Sequence, residues 1–212
     1  MLRRVLFTIL AATAAILLTL LAVAFAQAYR ARAFGNEFLA DVRNLRVGQS
    51  TYQDVLRVQA KYRPRSSSEL GNCEQNLCDM AFSGGNEQLY RLGLVPGDVF
   101  IGSLRVRQGV LVKIGISYQS NSHYDANTEE TVGGPGGLAC EVGGKAIASE
   151  RTYSYVWARI TSATTPGERQ KAYAYNLDCL TKWGGCKDAN KILPILRSLT
   201  DAEKPPPPPP SD

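Results

Sequence analysis

A chain of 212 residues, 44% apolar and 20% charged, is long enough to bury one core and too apolar to be a disordered polyelectrolyte. Its net charge of +5 is spread along the sequence without a basic block, so no footing for nucleic-acid binding is present. With one histidine, His123, histidine-based metal sites and paired-histidine chemistry are excluded.

Arg3 and Arg4 precede Val5–Ala26 (VLFTILAATAAILLTLLAVAFA), an uncharged run of 22 residues. As a helix it would extend about 33 Å, enough to cross a hydrocarbon core of about 30 Å. The run predicts a membrane anchor over residues 5–26. A cleaved signal peptide is the alternative, because Ala24-Phe25-Ala26 has the A-x-A form before Gln27, but the apolar run is longer than a signal core usually is. Arg30, Arg32, Arg43 and Arg46 follow the run, and a naive count of arginines places the body in the cytoplasm. Large domains translocate largely regardless of charge, so the cysteines carry more weight.

Beyond the run, Phe34, Phe38, Val42 and Leu45 recur at helical spacing, predicting a helix over Gln27–Leu45 that ends at Gly48. Ser50 reads as the N-cap of a second helix, Thr51–Arg63, with Gln53 completing a capping box and Pro64 stopping it. The stretch Leu45-Arg46-Val47-Gly48-Gln49-Ser50-Thr51-Tyr52-Gln53-Asp54-Val55 resembles the opening of small outer-membrane lipoproteins of the BamE (SmpA/OmlA) type. Those proteins begin with a hydrophobic-x-x-Gly-x-Ser/Thr segment that caps a first helix. The resemblance implies an envelope setting and a helix packed on a sheet. No lipid-acceptor cysteine follows the apolar run here, and the remaining sequence is longer than that family's core.

Cysteines come next, as NCEQNLC (Cys73, Cys78) and CLTKWGGC (Cys179, Cys186), with Cys140 as the fifth. Close pairs in polar, glycine-bearing segments predict two local disulfides, Cys73–Cys78 and Cys179–Cys186. Each would restrain the unfolded chain by roughly 2–2.5 kcal/mol. Other connectivities, unpaired thiols or a zinc site remain alternatives, although structural zinc favours tighter cysteine spacing. Oxidised pairs would place the body outside the cytosol, in the periplasm or at the cell surface. Cys140, in GLACEVGG, reads as a buried thiol in a strand.

Asp98–Arg107 and Val110–Gln119 alternate in polarity and flank Gln108-Gly109, which predicts a β-hairpin. Thr152–Thr161 and Lys171–Cys179 read as further strands rich in Tyr and β-branched residues, and Met80–Phe82 and Leu138–Val142 as shorter ones. A polar loop spans Ser120–Gly137, Asn190–Ser198 reads as a closing helix interrupted at Pro194, and Pro205–Pro210 as a disordered polyproline tail. The expected fold is therefore α+β: an N-terminal membrane helix, then a mainly antiparallel sheet with helices on one face. The expected divisions are 1–27 (anchor), 28–47 (membrane-proximal helix), 48–200 (extracytoplasmic domain) and 201–212 (tail).

Catalytic signals are thin. His123 with Asp125 and Cys140 could sketch a nucleophile, base and orienter, but no nucleophile-elbow or cysteine-protease signature accompanies them. Asp125–Glu130 lacks the sixth-position glycine of a calcium loop, and Gly133–Gly137 lacks the Lys-Ser/Thr ending of a phosphate cradle. Neither a metal nor a cofactor is expected. Tyr153, Tyr155, Tyr173 and Tyr175 form two alternating sets that would line an aromatic wall if their strands were neighbours, suited to a peptide, glycan or protein surface. The expectation is a noncatalytic envelope protein held in the membrane by residues 5–26, with a structural or protein-interaction role. An envelope enzyme with a site near His123 and a peptide or glycan binder are the alternatives.

Overall fold

A computed structural model describes residues 2–62, 73–121, 130–133, 137–147, 151–186 and 188–196. Helix α1 (Leu2–Val42) is one uninterrupted helix of 41 residues, so the apolar run and the predicted second segment are continuous. By length and composition it could cross a membrane. Its first half stands clear of the domain, with Leu6, Phe7, Leu10 and Leu17 exposed. Its second half enters the core through Phe38, Leu39 and Val42, so residues 28–47 share the core of the domain that follows.

Helix α2 (Tyr52–Tyr62) is capped one residue later than the sequence suggested. Thr51 Oγ1 accepts from Asp54 N at 3.4 Å and Asp54 Oδ2 accepts from Thr51 N at 2.8 Å, forming the reciprocal box, while Ser50 Oγ accepts from Arg46 N. Tyr62 at its end donates to Asp41 of α1 at 2.6 Å, clasping the two helices.

Six strands form one antiparallel sheet in the order β1-β2-β3-β6-β5-β4. Strands β1 (Leu77–Gly85), β2 (Asp98–Arg107) and β3 (Val110–Ser120) are one meander, with a short helix, α3 (Glu87–Arg91), between the first two. Strands β4 (Glu130–Gly133), β5 (Ala139–Ile147) and β6 (Arg151–Ile160) are a second, joined to the first through β3 and β6. The β2–β3 hairpin turns at Gln108-Gly109 as predicted, with φ of 50° and 76°, the left-handed pair that a tight primed turn needs. In β3 the expected alternation shifts, because Val106 pairs with Leu111 and Arg105 with Lys113, leaving Val112 as an inserted bulge residue. That insertion puts both Leu111 and Ile114 in the core and turns Val112 to solvent.

The C-terminal part departs most from expectation. Lys171–Cys179 is not a strand: α4 (Pro166–Ala172) occupies its start and a 3-10 helix, Leu177–Leu180, its end. Thr165 and Glu168 form a capping box over α4, with Pro166 in the first turn. The closing helix is interrupted at Pro194 as expected: α5 (Ala189–Ile192) ends before it, and Ile195 and Leu196, the last described residues, are helical again. The second half of α1, α2, α4, the 3-10 helix and α5 supply side chains to the core on one sheet face, giving the expected α+β arrangement.

The sulfurs of Cys73 and Cys78, and of Cys179 and Cys186, lie at disulfide distance, with Cα separations of 4.3 and 5.3 Å. Cys140 is a free, buried thiol in β5. Peptides prepared without reduction after alkylation of the denatured protein should therefore carry one modified cysteine, Cys140, and two internal bridges. Five alkylated cysteines in protein from its native compartment would overturn this pairing.

Candidate functional site

Antiparallel pairing aligns side chains across the sheet in rungs. On the face away from the helices, one rung runs Ser83, Ile101, Ser117, Trp157, Glu141. The next rung runs Gly85, Val99, Gln119, Tyr155, Gly143, and the one on the other side Ala81, Ser103, Gly115, Arg159, Ala139. Most positions are small, so Trp157 and Tyr155 stand above a low floor. The result is a groove of about 330 Å³ lined by Ile101, Ser103, Gly115, Ser117, Gln119, Tyr155 and Trp157. Gly115 sets its depth, since a Cβ there would overlap Ser103 Oγ.

Both aromatic residues are held in place. Tyr155 Oη donates to Glu141 Oε1 on the neighbouring strand. Lys113 Nζ lies 5.0 Å and Arg159 Cζ 5.4 Å from the centroid of the Trp157 ring. Burial depresses the Lys113 pKa, and the Arg105 and Arg159 charges depress it further. Asp79 on the edge strand pairs with Arg105 at 2.6 Å and Arg107 at 3.4 Å. The groove thus runs from a polar end at Gln119 to a cationic end at Lys113 and Arg159.

The expected tyrosine wall does not assemble. Tyr155 lies in the groove, and Tyr153 precedes it in β6 opposite Lys145, its side chain outside the described residues. Tyr173 and Tyr175 lie on the other side of the sheet, both buried, because their segment is a loop beneath the sheet rather than a strand within it. Tyr173 Oη donates to Val42 O at the end of α1 at 3.3 Å, and Tyr175 Oη donates to Ile116 O at 3.0 Å. Burial raises the pKa of both phenols, that of Tyr173 to about 12. These two tyrosines are structural ties. Ser117, Gln119 and Trp157 are groove residues that sequence reading overlooked, with Lys113 beside them over the indole; the signal for the three in β3 was its polar, outward register.

Of the sketched catalytic set, only Cys140 is among the described residues. His123 and Asp125 lie outside the described residues. Cys140 is fully buried, and desolvation, with the Glu168 charge second, pushes its thiol up to about 12, so it is no thiolate nucleophile at neutral pH. Among the described residues no group of His, Cys, Asp and Glu could hold a metal ion.

One buried acid stands out at the α3 end of the sheet. Asp98, 0% exposed, accepts from Ser120 Oγ, and its backbone N–H donates to Asn86 Oδ1 at 2.8 Å. Asn86 in turn donates to Leu180 O at 3.1 Å, tying the 3-10 helix to the sheet. Desolvation pushes the Asp98 carboxyl up to about 6, against the Ser120 and Tyr118 hydroxyls, which favour its ionised form. Asp98 borders a cleft of about 380 Å³ with Asn86, Tyr90, Gly97 and Asn121, but no nucleophile accompanies it among the described lining residues. A larger cleft, about 670 Å³, opens between α1 and the β1 edge, lined by Gln27, Arg30, Phe34, Ser83 and Glu87 among others.

Comparison of the chain with protein-family profiles, with curated proteins and with solved structures finds no match.

Proposed function

We propose that this is a noncatalytic, membrane-anchored extracytoplasmic domain that binds a protein partner through the open face of its sheet. The observation that carries the reading is the asymmetry of that sheet. One face packs against helices, while the other presents a groove centred on Trp157 and Tyr155. Tryptophan and tyrosine in a shallow, partly desolvated setting with small neighbours are the residues that dominate protein interfaces. Lys113 and Arg159 at one end favour a partner segment that brings carboxylates beside an apolar side chain. The same cations lie over the indole ring that a sugar would stack on, which disfavours the glycan reading. An extracytoplasmic position is supported by the two cysteine pairs at disulfide distance, and anchorage by the apolar half of α1. The envelope setting implied by the Leu45–Val55 resemblance agrees with both.

A photo-crosslinking residue at Ser117, in the groove, tests this in native membranes. It should give a discrete adduct with another envelope protein, lost when Trp157→Ala is added. The same residue at Asn44, an exposed position in the turn after α1, should not give that adduct. Absence of any Ser117 adduct, or an adduct indifferent to Trp157→Ala, would overturn the assignment of the groove.

A further inference from the structure

Outside the apolar run, the exposed large apolar residues among those described are Tyr29, Leu77, Tyr90, Leu92, Val112 and Trp183. Leu77 and Val112 lie at the hairpin end of the sheet, remote from the span. The other four gather at the opposite end. Ala24 and Ala28 of α1 are buried against Leu89 and Val95, so the α3 segment packs on the helix where it leaves the apolar run. Between Ala24 and Arg30 the helix rises about 9 Å, comparable to the headgroup layer on one side of a bilayer. Tyr29, Tyr90 and Leu92 therefore sit at the level of that layer.

Trp183 reaches the same level by another route. It lies in the turn closed by Cys179 and Cys186, where Gly184 and Gly185 adopt φ of 75° and 65° and Gly185 N–H donates to Lys182 O at 2.9 Å. Gly185 lies against Pro96, next to Val95: a Cβ there would come within 3.0 Å of Pro96 Cγ. The left-handed glycines and the bridge hold the turn, and Trp183 is presented at 69% exposure on it. A fixed, exposed indole is poorly placed in water and well placed among lipid headgroups, where its apolar ring and N–H are both accommodated. Lys182 and Arg30 are exposed cations nearby, while Arg91 pairs with Glu87.

We propose that the end of the domain formed by α3 and the Lys182–Gly185 turn is a membrane-docking face, with Trp183, Tyr90, Leu92 and Tyr29 entering the phospholipid headgroup layer around the emerging helix. It rests on the reading of residues 5–26 as a retained span. The face is continuous with that span, which identifies its occupant as the bilayer. The exposed cations match the phosphates of the lipids.

The test uses the full chain reconstituted in vesicles of equimolar phosphatidylcholine and phosphatidylglycerol. Trp157→Phe leaves Trp183 as the sole indole, and Trp183→Phe leaves Trp157. Replacing the phosphatidylcholine with its acyl-brominated form should quench Trp183 at least about twofold and leave Trp157 nearly unchanged, as an interfacial indole and a remote one would respond. Protein that resists carbonate extraction yet shows no bromolipid quenching of Trp183 would overturn the docking face alone. Extraction by carbonate would overturn the span and the docking face together.

Discussion

Replacing Phe38 with alanine should lower the stability of the domain by about 3–5 kcal/mol, the loss typical of deleting a fully buried ring. Phe38 is 0% exposed and joins α1 to both α2 and the sheet, with ring centroids 5.5 Å from Tyr62, 5.1 Å from Phe82 and 6.0 Å from Phe100. Its ring lies directly on Gly102 in β2, where a Cβ would overlap it. Gly102→Ala should therefore cost about 1–3 kcal/mol through overpacking, because a ring enclosed on all sides cannot yield. Once Phe38→Ala has emptied the space, most of the Gly102→Ala penalty should vanish. The double mutant should thus be more stable than the sum of the singles predicts, by about 1–3 kcal/mol. Urea unfolding of the full-length protein in detergent, followed by intrinsic fluorescence, measures all four corners of this cycle. Additive losses would show that the α1–β2 contact is not the close one described.

The second large effect is a dependence on pH centred on Asp98. A carboxyl raised to about 6 in the folded state, against 3.8 as its ordinary value, binds its proton more tightly folded than unfolded. Folding is then favoured as pH falls through 6 toward 4, and that stabilisation is lost as pH rises through 6. Between pH 7 and pH 4.5 the gain should be about 1–2 kcal/mol from this group. Asp41 runs the opposite way, because hydrogen bonds from Lys61 and Tyr62 hold its carboxyl below the ordinary range; its contribution fades only at pH values below about 4. The window from 4.5 to 7 therefore reports mainly on Asp98. Asp98→Asn should flatten the profile across that window and raise stability at pH 7, since it removes a buried charge while keeping an acceptor for Ser120. An unchanged slope in the variant would assign the effect elsewhere.

Legibility in the sequence followed how strongly each local pattern was tied to one backbone conformation. The β2–β3 hairpin was readable because two alternating runs flank a Gly-containing dipeptide, and only a tight turn serves both. The apolar run and the local cysteine pairs were readable for similar reasons, being contiguous. Tyr173, Tyr175, Leu177 and Cys179 show the opposite case. They are buried at every second position, as a strand's residues would be, yet Asn176 N–H donates to Ile192 O in the loop region and the backbone joins no ladder. Alternation reported burial correctly and hydrogen bonding wrongly. Helix α4 carried a usable signal in Thr165-Pro166-Gly167-Glu168, a capping box with proline in the first turn, which the tyrosines that follow obscured. Strands β4 and β5 were shortened or passed over because their glycines dilute any period. The groove was hidden for a deeper reason. Its floor is made by Ser103, Gly115 and Ser117, residues with no signature of their own, and only the strand order brings them beside Trp157.

If residues 5–26 are the retained span proposed above, the unbroken path of α1 from apolar run to core makes the domain a rigid extension of that span rather than a load on a leash. A flexible linker would let the groove sample many heights and headings above the bilayer, diluting its encounters. Here the helix sets one height and one heading. Turning or tilting the apolar half of α1 must turn or tilt the groove by the same angle, since Ala24, Ala28, Phe38 and Val42 are gripped by the domain along nearly 20 residues of the same rod. Under the proposed function, a partner at the groove would then exert torque within the membrane, and a neighbour at the span would re-aim the groove outside it.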